Sequence, residues 1–411
     1  MIQRTIKKAL IKALENKPVV LLTGARQVGK STLCSVIAKE RNYNYVTLDD
    51  LRERANAIND PELFLTLHKP PLIIDEVQHA PKLFEAIESI VNAKKFAGDD
   101  NKGMYLLTGS EAYALMQGVS ETLAGRVAVI EMSPLSLSEI RGLDEEPFTV
   151  DLAKNSEKAG KNAVSVDELY RLIVRGFYPE LYDNTKIETE IFYSDYVKTY
   201  IERDVSKLMN LNDKLKFQRF MEVLASLTGE EFIANNISKV IGVSVNTIQS
   251  WLSVLVAGNI VYLLEAYNEN SSIKRAVKKP KLYFYDTGLA AYLSKLDNKE
   301  VLARSIFSGR FVETYIVNEI IKSHRNNNKK TNFFYYRDVD QNEIDLIIQN
   351  GGELHFIECK SGISYSKRDV KAFAKLSTKT NYSVGDSAII CSTEKAYSVD
   401  KGIYALPLGS I

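Results

Sequence analysis

The chain has 411 residues, of which 45% are hydrophobic and 26% are charged, and its net charge is +1. This length predicts several domains, and the composition is that of a folded soluble protein rather than a disordered one. The near-zero net charge excludes a globally basic nucleic-acid binder, so any such surface must be local. Its cysteines, Cys34, Cys359 and Cys391, form neither a disulfide framework nor a metal-ligand pattern, and no apolar run is long enough to cross a membrane. We therefore expect a cytoplasmic protein without a membrane partner.

A phosphate-binding loop is predicted near the start of the chain. The helical stretch MIQRTIKKALIKALENK leads into the apolar strand PVVLLTG, the loop GARQVGKS and another helical stretch. Strand, loop and helix are the context that the pattern G-x-x-x-x-G-K-[ST] requires. In such a loop, backbone N–H groups surround phosphates, Lys30 reaches the β- and γ-phosphates as a catalytic residue, and Ser31 binds Mg²⁺. The residues predicted to bind ATP are Gly24, Ala25, Arg26, Gln27, Val28, Gly29, Lys30, Ser31 and Thr32. A glycine-rich turn is the alternative.

Further strands are predicted in YNYVTLDD, PPLIIDEVQ, MYLLTGS and RVAVIEM, and they alternate with helical segments as in a parallel α/β sheet. LIIDE resembles a Walker B strand, in which Asp75 would hold Mg²⁺ and Glu76 would orient the attacking water. A helix N-cap is the alternative for this pair. Thr108 and Ser110 in LLTGS are candidates for sensing the γ-phosphate, with ordinary turn chemistry as the alternative.

The middle of the chain predicts a linker, a lid and a winged helix-turn-helix. Residues 141–165 are polar and indicate a linker or surface insertion, and the helical segment that follows indicates a lid. Arg203 on the lid is a candidate phosphate contact, although its acidic neighbours offer an ion pair instead. Further on, two helices, a turn with Ser244 as N-cap and a β-ribbon are the parts of a winged helix.

Two features of this winged segment bear on nucleic acid. Its second helix contains no Lys or Arg from residue 245 to 255, so only Asn246 and Gln249 have side chains suited to base reading. The ribbon carries a basic run without acids, which is suited to phosphate contact. Its members are Lys274, Arg275, Lys278, Lys279 and Lys281. These patterns predict sequence-nonspecific DNA contact or protein docking, and a solvated loop is the alternative.

Carboxylates interrupt the apolar stretches of the C-terminal part. GRFVETYIVNEII is helical and presents Glu313, while NEIDLIIQNGGELHFIECKSG predicts two strands that carry Asp345 and, on one face, Glu358 and Lys360. Glu313, Asp345 and Glu358 would hold Mg²⁺, which polarises a phosphodiester, and Lys360 would stabilise developing negative charge, so Glu358 and Lys360 are predicted to be catalytic. A buried ion pair explains Glu358 with Lys360 but leaves the other two carboxylates unexplained.

A basic and aromatic stretch precedes Asp345 in the sequence. It is typical of a surface that binds a nucleic-acid strand, although such aromatics more often belong to a core. The basic members are Lys322, His324, Arg325, Lys329, Lys330 and Arg337, and the aromatic members are Phe333, Phe334, Tyr335 and Tyr336.

The motifs together resemble a known family. LLTGARQVGKST, LIIDEVQ, LLTGS, LAGRV, PLSLSE, YVKTYIERDV and YYRDVDQNEIDLII…IECKSG, spread over residues 19–362, occur in this order in a family of archaeal and bacterial AAA-superfamily P-loop ATPases. Its members carry a C-terminal domain of unknown function that is similar to PD-(D/E)xK nucleases. This resemblance implies an α/β protein with an AAA-type parallel-sheet core at 1–140, a linker and helical lid at 141–215, a winged helix at 216–289 and a nuclease-like domain at 290–411.

The resemblance also implies roles for individual residues. Arg126 in LAGRV stands where an arginine finger reaches a neighbour's nucleotide, which implies a homo-oligomer; a structural salt bridge is the alternative. Glu313, Asp345, Glu358 and Lys360 match the nuclease site, although no proline precedes Asp345.

The functional hypothesis is an ATPase whose nucleotide state gates a DNA-binding, metal-dependent nuclease domain. The alternatives are a regulatory switch that docks a protein partner through an inert C-terminal domain, and a DNA-binding regulator without catalysis on DNA. A cation between Asp345 and Glu358 would favour the nuclease, whereas a capped site would favour docking.

Overall fold

The computed structural model describes residues 2–109, 123–200, 214–268 and 279–411. Several residues with predicted roles lie outside these ranges, namely Ser110, Arg203, Lys274, Arg275 and Lys278.

The N-terminal domain is a parallel sheet with helices on both faces. Its helices are α1 (Ile6–Leu14), α2 (Lys30–Arg41), α3 (Leu51–Asn59), α4 (Pro61–Leu67) and α5 (Leu83–Ala97). Its strands are β1 (Val19–Thr23), β2 (Asn44–Thr47), β3 (Leu72–Asp75), β4 (Tyr105–Thr108) and β5 (Val127–Glu131). They lie in the order β2-β3-β4-β1-β5, and each neighbouring pair is parallel. Alternate residues of β1 enter opposite cores, with Val20 and Leu22 on one face and Val19 and Leu21 on the other, as a strand buried on both faces requires. The predicted parallel α/β core is confirmed.

A helical segment follows the last strand of this sheet. Its helices are α6 (Leu137–Arg141), α7 (Leu152–Lys161), α8 (Val166–Arg175), α9 (Glu180–Asp183), α10 (Thr189–Tyr200) and α11 (Lys214–Ser226). Helix α7 falls in the polar stretch for which a linker or surface insertion was expected. Asn155 on this helix donates a hydrogen bond to the carbonyl oxygen of Ser410 at 3.2 Å, so the segment packs against the C-terminus.

A small antiparallel sheet and two helices come next. These elements are β6 (Glu230–Glu231), α12 (Ala234–Ile241), α13 (Val245–Ala257), β7 (Val261–Leu264) and β8 (Lys281–Phe284), with the strand order β6-β8-β7. The hydroxyl of Ser244 accepts a hydrogen bond from the Thr247 N–H at 3.1 Å, which confirms the predicted N-cap of α13. In the part of the chain that the structure describes, no single helix has the length and apolar character of a membrane span, and α12 with α13 meets that test only as a pair bent by 105°.

The C-terminal part is a mixed sheet reached through three helices. The helices are α14 (Thr287–Leu293), α15 (Lys299–Arg304), α16 (Ser308–Asn326) and, later, α17 (Lys371–Ser377). The strands are β9 (Asn332–Arg337), β10 (Glu343–Asn350), β11 (Glu353–Cys359), β12 (Ser383–Val384), β13 (Ser387–Cys391), β14 (Tyr397–Asp400) and β15 (Ile403–Pro407). They lie in the order β14-β15-β13-β11-β10-β9, with β12 beside β11. Ile6 of α1 and Leu406 of β15 belong to one continuous hydrophobic cluster, so the N- and C-terminal parts share a core.

Candidate functional site

The predicted phosphate-binding loop lies between β1 and α2. Gly24 has φ +141°, and a β-carbon at this position would lie 2.3 Å from the carbonyl oxygen of Met132, so only glycine fits. Gly29, with φ +95°, is the N-cap of α2. The residues predicted to bind ATP, 24–32, therefore occupy one loop and the first turn of one helix, where backbone N–H groups are available to an anion.

Lys30 is buried at the start of α2. Its ammonium donates hydrogen bonds to the carbonyl oxygens of Gly24 and Ala25, at 2.8 and 2.7 Å, and so lies within the loop. Burial lowers the pKa of Lys30 to about 8, although the carboxylates of Glu76 and Asp75 act in the opposite direction. Both carboxylates therefore act electrostatically on Lys30.

The carboxylate of Asp75 is held by two hydroxyl groups at the end of β3. The Tyr45 hydroxyl donates to Oδ2 at 2.7 Å, and the Thr108 hydroxyl donates to Oδ1. Burial and this bond to Asp75 raise the pKa of Tyr45 well above its usual value. Asp75 does not act as a helix N-cap, since its oxygens accept from these side chains instead. Thr108, a predicted phosphate sensor, contacts Asp75, and Tyr45 is a member of the site that sequence reasoning missed.

Glu76 follows Asp75 in a left-handed conformation, with φ +56°, and its carboxylate accepts a hydrogen bond from the Gln78 amide. Glu76 is therefore oriented by a polar neighbour next to Asp75 and Lys30. The Ser31 hydroxyl and the Asp75 carboxylate are hard oxygen donors, and this donor chemistry fits Mg²⁺.

A cavity of about 430 Å³ lies beside the phosphate-binding loop. Gly29, Thr32 and Leu33 form one wall, the N-terminal segment forms another, and Pro179 with Asp183 closes a third. Sequence reasoning assigned no residues to a nucleobase. Cavities with mostly apolar walls and a few polar groups are typical of small-molecule sites.

Arg4 is a buried residue that connects the loop to the segment after β5. Its guanidinium donates to the carbonyl oxygens of Val28 at 2.6 Å and Ser133 at 2.7 Å, and to Glu139 Oε2 at 3.1 Å. The side chains of Arg4 and Glu139 are 5% and 1% exposed. Nothing in the sequence distinguishes Arg4 from the other basic residues near the N-terminus, because its partners are distant along the chain.

Helix α16 is held to the same segment by a second buried pair. The Leu137 N–H donates to Glu319 Oε2 at 2.8 Å. The Lys322 ammonium donates to Glu319 Oε1 at 2.7 Å and to the Leu135 carbonyl oxygen at 2.8 Å. The short segment 133–139 is therefore linked to the phosphate-binding loop through Arg4 and is bound directly to α16.

Arg126, the predicted finger, lies at the start of the edge strand β5. Its Nε donates to the Asn92 side-chain oxygen at 2.8 Å, and its Nη1 lies 3.3 Å from Glu88 Oε1. Both partners lie on α5. Arg126 therefore forms the salt bridge that was the alternative to a finger. Its role across a subunit boundary stays a prediction.

The C-terminal carboxylates meet where β10 and β11 pair. The antiparallel register pairs Leu346 with Ile357, and its continuation sets Asp345 opposite Glu358. Asp345 Oδ2 accepts a hydrogen bond from the Cys359 N–H at 2.8 Å, and the Lys360 ammonium donates to Glu358 Oε1 at 2.6 Å. Burial and the neighbouring Asp345 raise the pKa of Glu358 well above its usual value. The predicted placement of carboxylates on two adjacent strands is confirmed.

Lys281 of β8 enters this group of carboxylates. Its ammonium lies 2.7 Å from Glu313 Oε1 and 3.7 Å from Asp345 Oδ1, and it also pairs with Glu343. The Tyr283 hydroxyl donates to Glu313 Oε1 at 2.6 Å. Burial raises the pKa of Glu313 to about 7, although Lys281 acts to lower it. We call Glu313, Glu343, Asp345, Glu358, Lys281 and Lys360 the carboxylate cluster.

The position of Lys281 corrects the expectation that it contacts phosphate as part of a basic ribbon. Its side chain is only 3% exposed, because it is surrounded by acidic partners rather than by solvent. Lys279, two residues earlier, is exposed.

The stretch that was expected to bind a nucleic-acid strand is partly buried. Lys322 and His324 are buried on α16, since Lys322 pairs with Glu319 and the His324 ring bonds to the Phe148 carbonyl oxygen. Phe334, Tyr335 and Tyr336 are buried as well. These aromatic side chains therefore belong to the core rather than to a nucleic-acid surface.

In this arrangement the carboxylate cluster does not fit a divalent metal ion. Lys281 supplies an ammonium to Glu313 and Asp345, and among the described residues no three His, Cys, Asp or Glu side chains meet as a metal-binding group. The metal-ligand roles of Glu313, Asp345 and Glu358 stay predictions. Lys281 therefore caps the site, and a capped site favours the alternative in which the C-terminal domain docks a protein partner.

Comparisons with known proteins find matches to three family models along the chain. Residues 16–141 match the family model of an AAA domain, whereas residues 166–300 and 308–411 match models of domains of unknown function, DUF8612 and DUF4143. The uncharacterized proteins Mb2031c of Mycobacterium bovis and Rv2008c of Mycobacterium tuberculosis are each 26% identical over 414 residues, which cover 100% of this chain and 84% of theirs.

Solved structures with similarity to the chain include the Walker-type ATPase PABY2304 of Pyrococcus abyssi, at 16% identity and TM-score 0.40 over 70% of this chain and 94% of that one. A single-residue variant of RuvB from Thermotoga maritima is similar at 17% identity and TM-score 0.31, over 64% of this chain and 89% of that one. The Orc1 protein of Aeropyrum pernix, in complex with DNA, is similar at 13% identity and TM-score 0.25, over 71% of this chain and 91% of that one. The segment 16–141, which matches the AAA-domain model, contains the phosphate-binding loop and the five-stranded parallel sheet.

Proposed function

We propose that this protein binds and hydrolyses ATP, and that its nucleotide state controls how its C-terminal domain grips nucleic acid. Lys30 would bind the β- and γ-phosphates, and Ser31 with Asp75 would hold Mg²⁺. Mg²⁺ supplies charge neutralisation on the phosphates when bound. Glu76, oriented by Gln78, would position the attacking water and accept its proton.

The cavity beside Gly29 is proposed to hold the adenine base. It continues from the first turn of α2, where the phosphates would lie, to Pro179 and Asp183 of the helical segment. A nucleotide that contacts both α2 and the helical segment would stabilise the position of that segment relative to the AAA domain.

The observation that carries the proposed control is the buried polar connection through segment 133–139. A phosphate that repositions the loop would shift the Val28 carbonyl, to which Arg4 is bound, and Arg4 is paired with Glu139. Leu137, two residues before Glu139, is bound to Glu319 of α16, the helix that also carries Glu313. Buried pairs of this kind have few alternative arrangements, so movement at one end favours movement at the other.

Nucleic acid is the proposed ligand because polar groups suited to it are exposed. Asn246 and Gln249 are exposed on α13, and Lys279 is exposed two residues before β8. Amide and basic side chains can both contact the phosphate backbone without reading the base sequence. The alternative ligand is a protein partner. If Arg126 acts as a finger in a neighbouring subunit, the protein is also a homo-oligomer.

A second candidate function is metal-dependent cleavage of nucleic acid. Asp345, Glu358 and Lys360 have the placement that such chemistry uses, with paired carboxylates and an adjacent ammonium. The ammonium of Lys281 opposes this function in the described arrangement, so cleavage would require that Lys281 be displaced.

Fluorescence anisotropy of a labelled single-stranded DNA tests the proposal. The affinity of the Glu76→Gln chain saturated with ATP should differ at least about fivefold from that of the wild-type chain saturated with ADP, a typical coupling between sites. Glu319→Gln should abolish that difference while the affinity for nucleotide is kept. Glu157→Gln, which removes an exposed pair with Lys161, is the matched control and should keep the difference. Equal DNA affinities in both nucleotide states would refute the proposal.

A further inference from the structure

A tightly packed junction holds the turn that leads to Pro179 and Asp183, the third wall of the cavity beside the phosphate-binding loop. The turn begins at Gly176, which follows the last residue of α8 and has φ +74°. A β-carbon at this position would lie 1.9 Å from the hydroxyl oxygen of Tyr193 on α10 and 2.6 Å from Oδ1 of Asp286. Only glycine fits there, so the turn, α10 and the start of α14 approach one another closely.

Asp286 lies in this junction and is 1% exposed. Its Oδ1 accepts hydrogen bonds from the Tyr193 hydroxyl at 2.6 Å and from the Leu289 N–H at 2.8 Å, and the second bond makes Asp286 the N-cap of α14. Its Oδ2 accepts a hydrogen bond from the Phe177 N–H at 2.6 Å. All three partners are donors, so the position requires a group that only accepts, as an ionised carboxylate does.

Phe177 connects Asp286 to the cavity. Its N–H is bound to Asp286, and its carbonyl oxygen accepts a hydrogen bond from the Leu135 N–H at 2.8 Å. Both polar groups of this backbone position are therefore fixed. Leu135 lines the cavity, as does Pro179, which follows Phe177 by two residues. The position of this wall therefore depends on the bond between Phe177 and Asp286.

Helix capping alone does not explain an aspartate at position 286. Asparagine caps a helix as well as aspartate does. However, an asparagine whose oxygen caps α14 would turn its amide nitrogen toward the Phe177 N–H, and two donors would then face each other. The second carboxylate oxygen therefore serves the turn and not the helix.

We infer that Asp286 is a positioning residue for the nucleoside part of the nucleotide. It fixes the turn that carries the third wall of the cavity, and it thereby sets the affinity for ATP without touching ATP. The inference rests on the proposed nucleotide site and adds to it a residue about 250 positions away from the phosphate-binding loop, since Gly29 and Asp286 are brought to one cavity only by the fold.

Calorimetry with two ligands in the presence of Mg²⁺ tests this inference on the full chain. One ligand is a non-hydrolysable ATP analogue, and the other is inorganic tripolyphosphate, which has the phosphates without the nucleoside. Asp286→Asn should weaken binding of the analogue at least about tenfold, the size of one lost hydrogen bond to a charged group, and should leave the affinity for tripolyphosphate unchanged. A merely structural role would weaken both ligands equally or neither.

A matched control makes the same substitution at another helix N-cap. Asp151 caps α7 by accepting from the Ala153 and Lys154 N–H groups, and Asp151→Asn should bind both ligands as the wild type does. Asp286→Ser keeps a capping hydroxyl but has no second oxygen for Phe177, and it serves if the asparagine variant does not fold.

The possible results separate this inference from the proposed function. A wild-type chain that binds neither ligand refutes the proposed function itself. If the wild type prefers the analogue to tripolyphosphate and a folded Asp286 variant keeps that preference, only the present inference is overturned. Equal affinities of the wild type for both ligands, or failure of both Asp286 variants to fold, overturn it as well.

Discussion

Replacing Arg4 with methionine should destabilise the AAA domain strongly, although Arg4 belongs to no recognised motif. The change removes the charged partner of Glu139, whose side chain is 1% exposed. Glu139 would keep the Thr5 N–H at 2.8 Å and the Ser136 N–H at 3.2 Å, but both donors are neutral. Removing one partner of a buried ion pair costs about 3–5 kcal/mol, so we expect a loss of that size in the free energy of unfolding.

Urea denaturation followed by circular dichroism measures this loss on the first unfolding transition. Arg4→Met combined with Glu139→Gln should lose less than the two single variants together, because the double variant leaves no unpaired buried charge. Lys8→Met, four residues further along the chain on α1, is the matched control, since Lys8 is 85% exposed and pairs with an exposed Asp144 at 3.6 Å. If Arg4→Met shifts the transition no more than Lys8→Met does, the reasoning on the buried connection is refuted.

Three other predictions concern the nucleotide site. Lys30→Ala should abolish phosphate release and weaken ATP binding, whereas Glu76→Gln should bind ATP and barely hydrolyse it; unchanged turnover in either variant would refute the site assignment. Inactive Arg126→Ala and Glu76→Gln chains should regain partial ATPase activity when they are mixed. If the mixture stays inactive and the wild-type ATPase rate per chain does not depend on protein concentration, Arg126 has a structural role. Tyr45→Phe removes a hydroxyl that orients Asp75 and should raise the Mg²⁺ concentration for half-maximal turnover about tenfold, as loss of an outer-shell partner does; an unchanged Mg²⁺ requirement would count against that role.

The phosphate-binding loop could be predicted because its signal is local. Residues 24–32 are contiguous, and the strand before them and the helix after them follow from apolar spacing alone. The same holds for Asp345 and Glu358, since a short turn between two alternating strands fixes which residues face each other.

The contacts of Arg4 and Lys281 could not be predicted, because they depend on how distant segments pack. Arg4 and Glu139 are 135 residues apart, and Lys281 comes from a strand of another sheet. Lys281 belongs to a basic run in the sequence, and charge runs most often lie in solvent. Only the packing of β8 against α16 makes this lysine the partner of a buried carboxylate.

If the nucleotide and the nucleic acid bind to one coupled system, thermodynamic linkage between the two binding events is measurable. If ATP changes the affinity for DNA by some factor, DNA must change the affinity for ATP by the same factor. The measurement is the dissociation constant of a non-hydrolysable ATP analogue, determined by calorimetry on the full chain with and without saturating single-stranded DNA. The constant should shift at least about fivefold in the wild type and should not shift in Glu319→Gln. An identical constant with and without DNA in the wild type would contradict it.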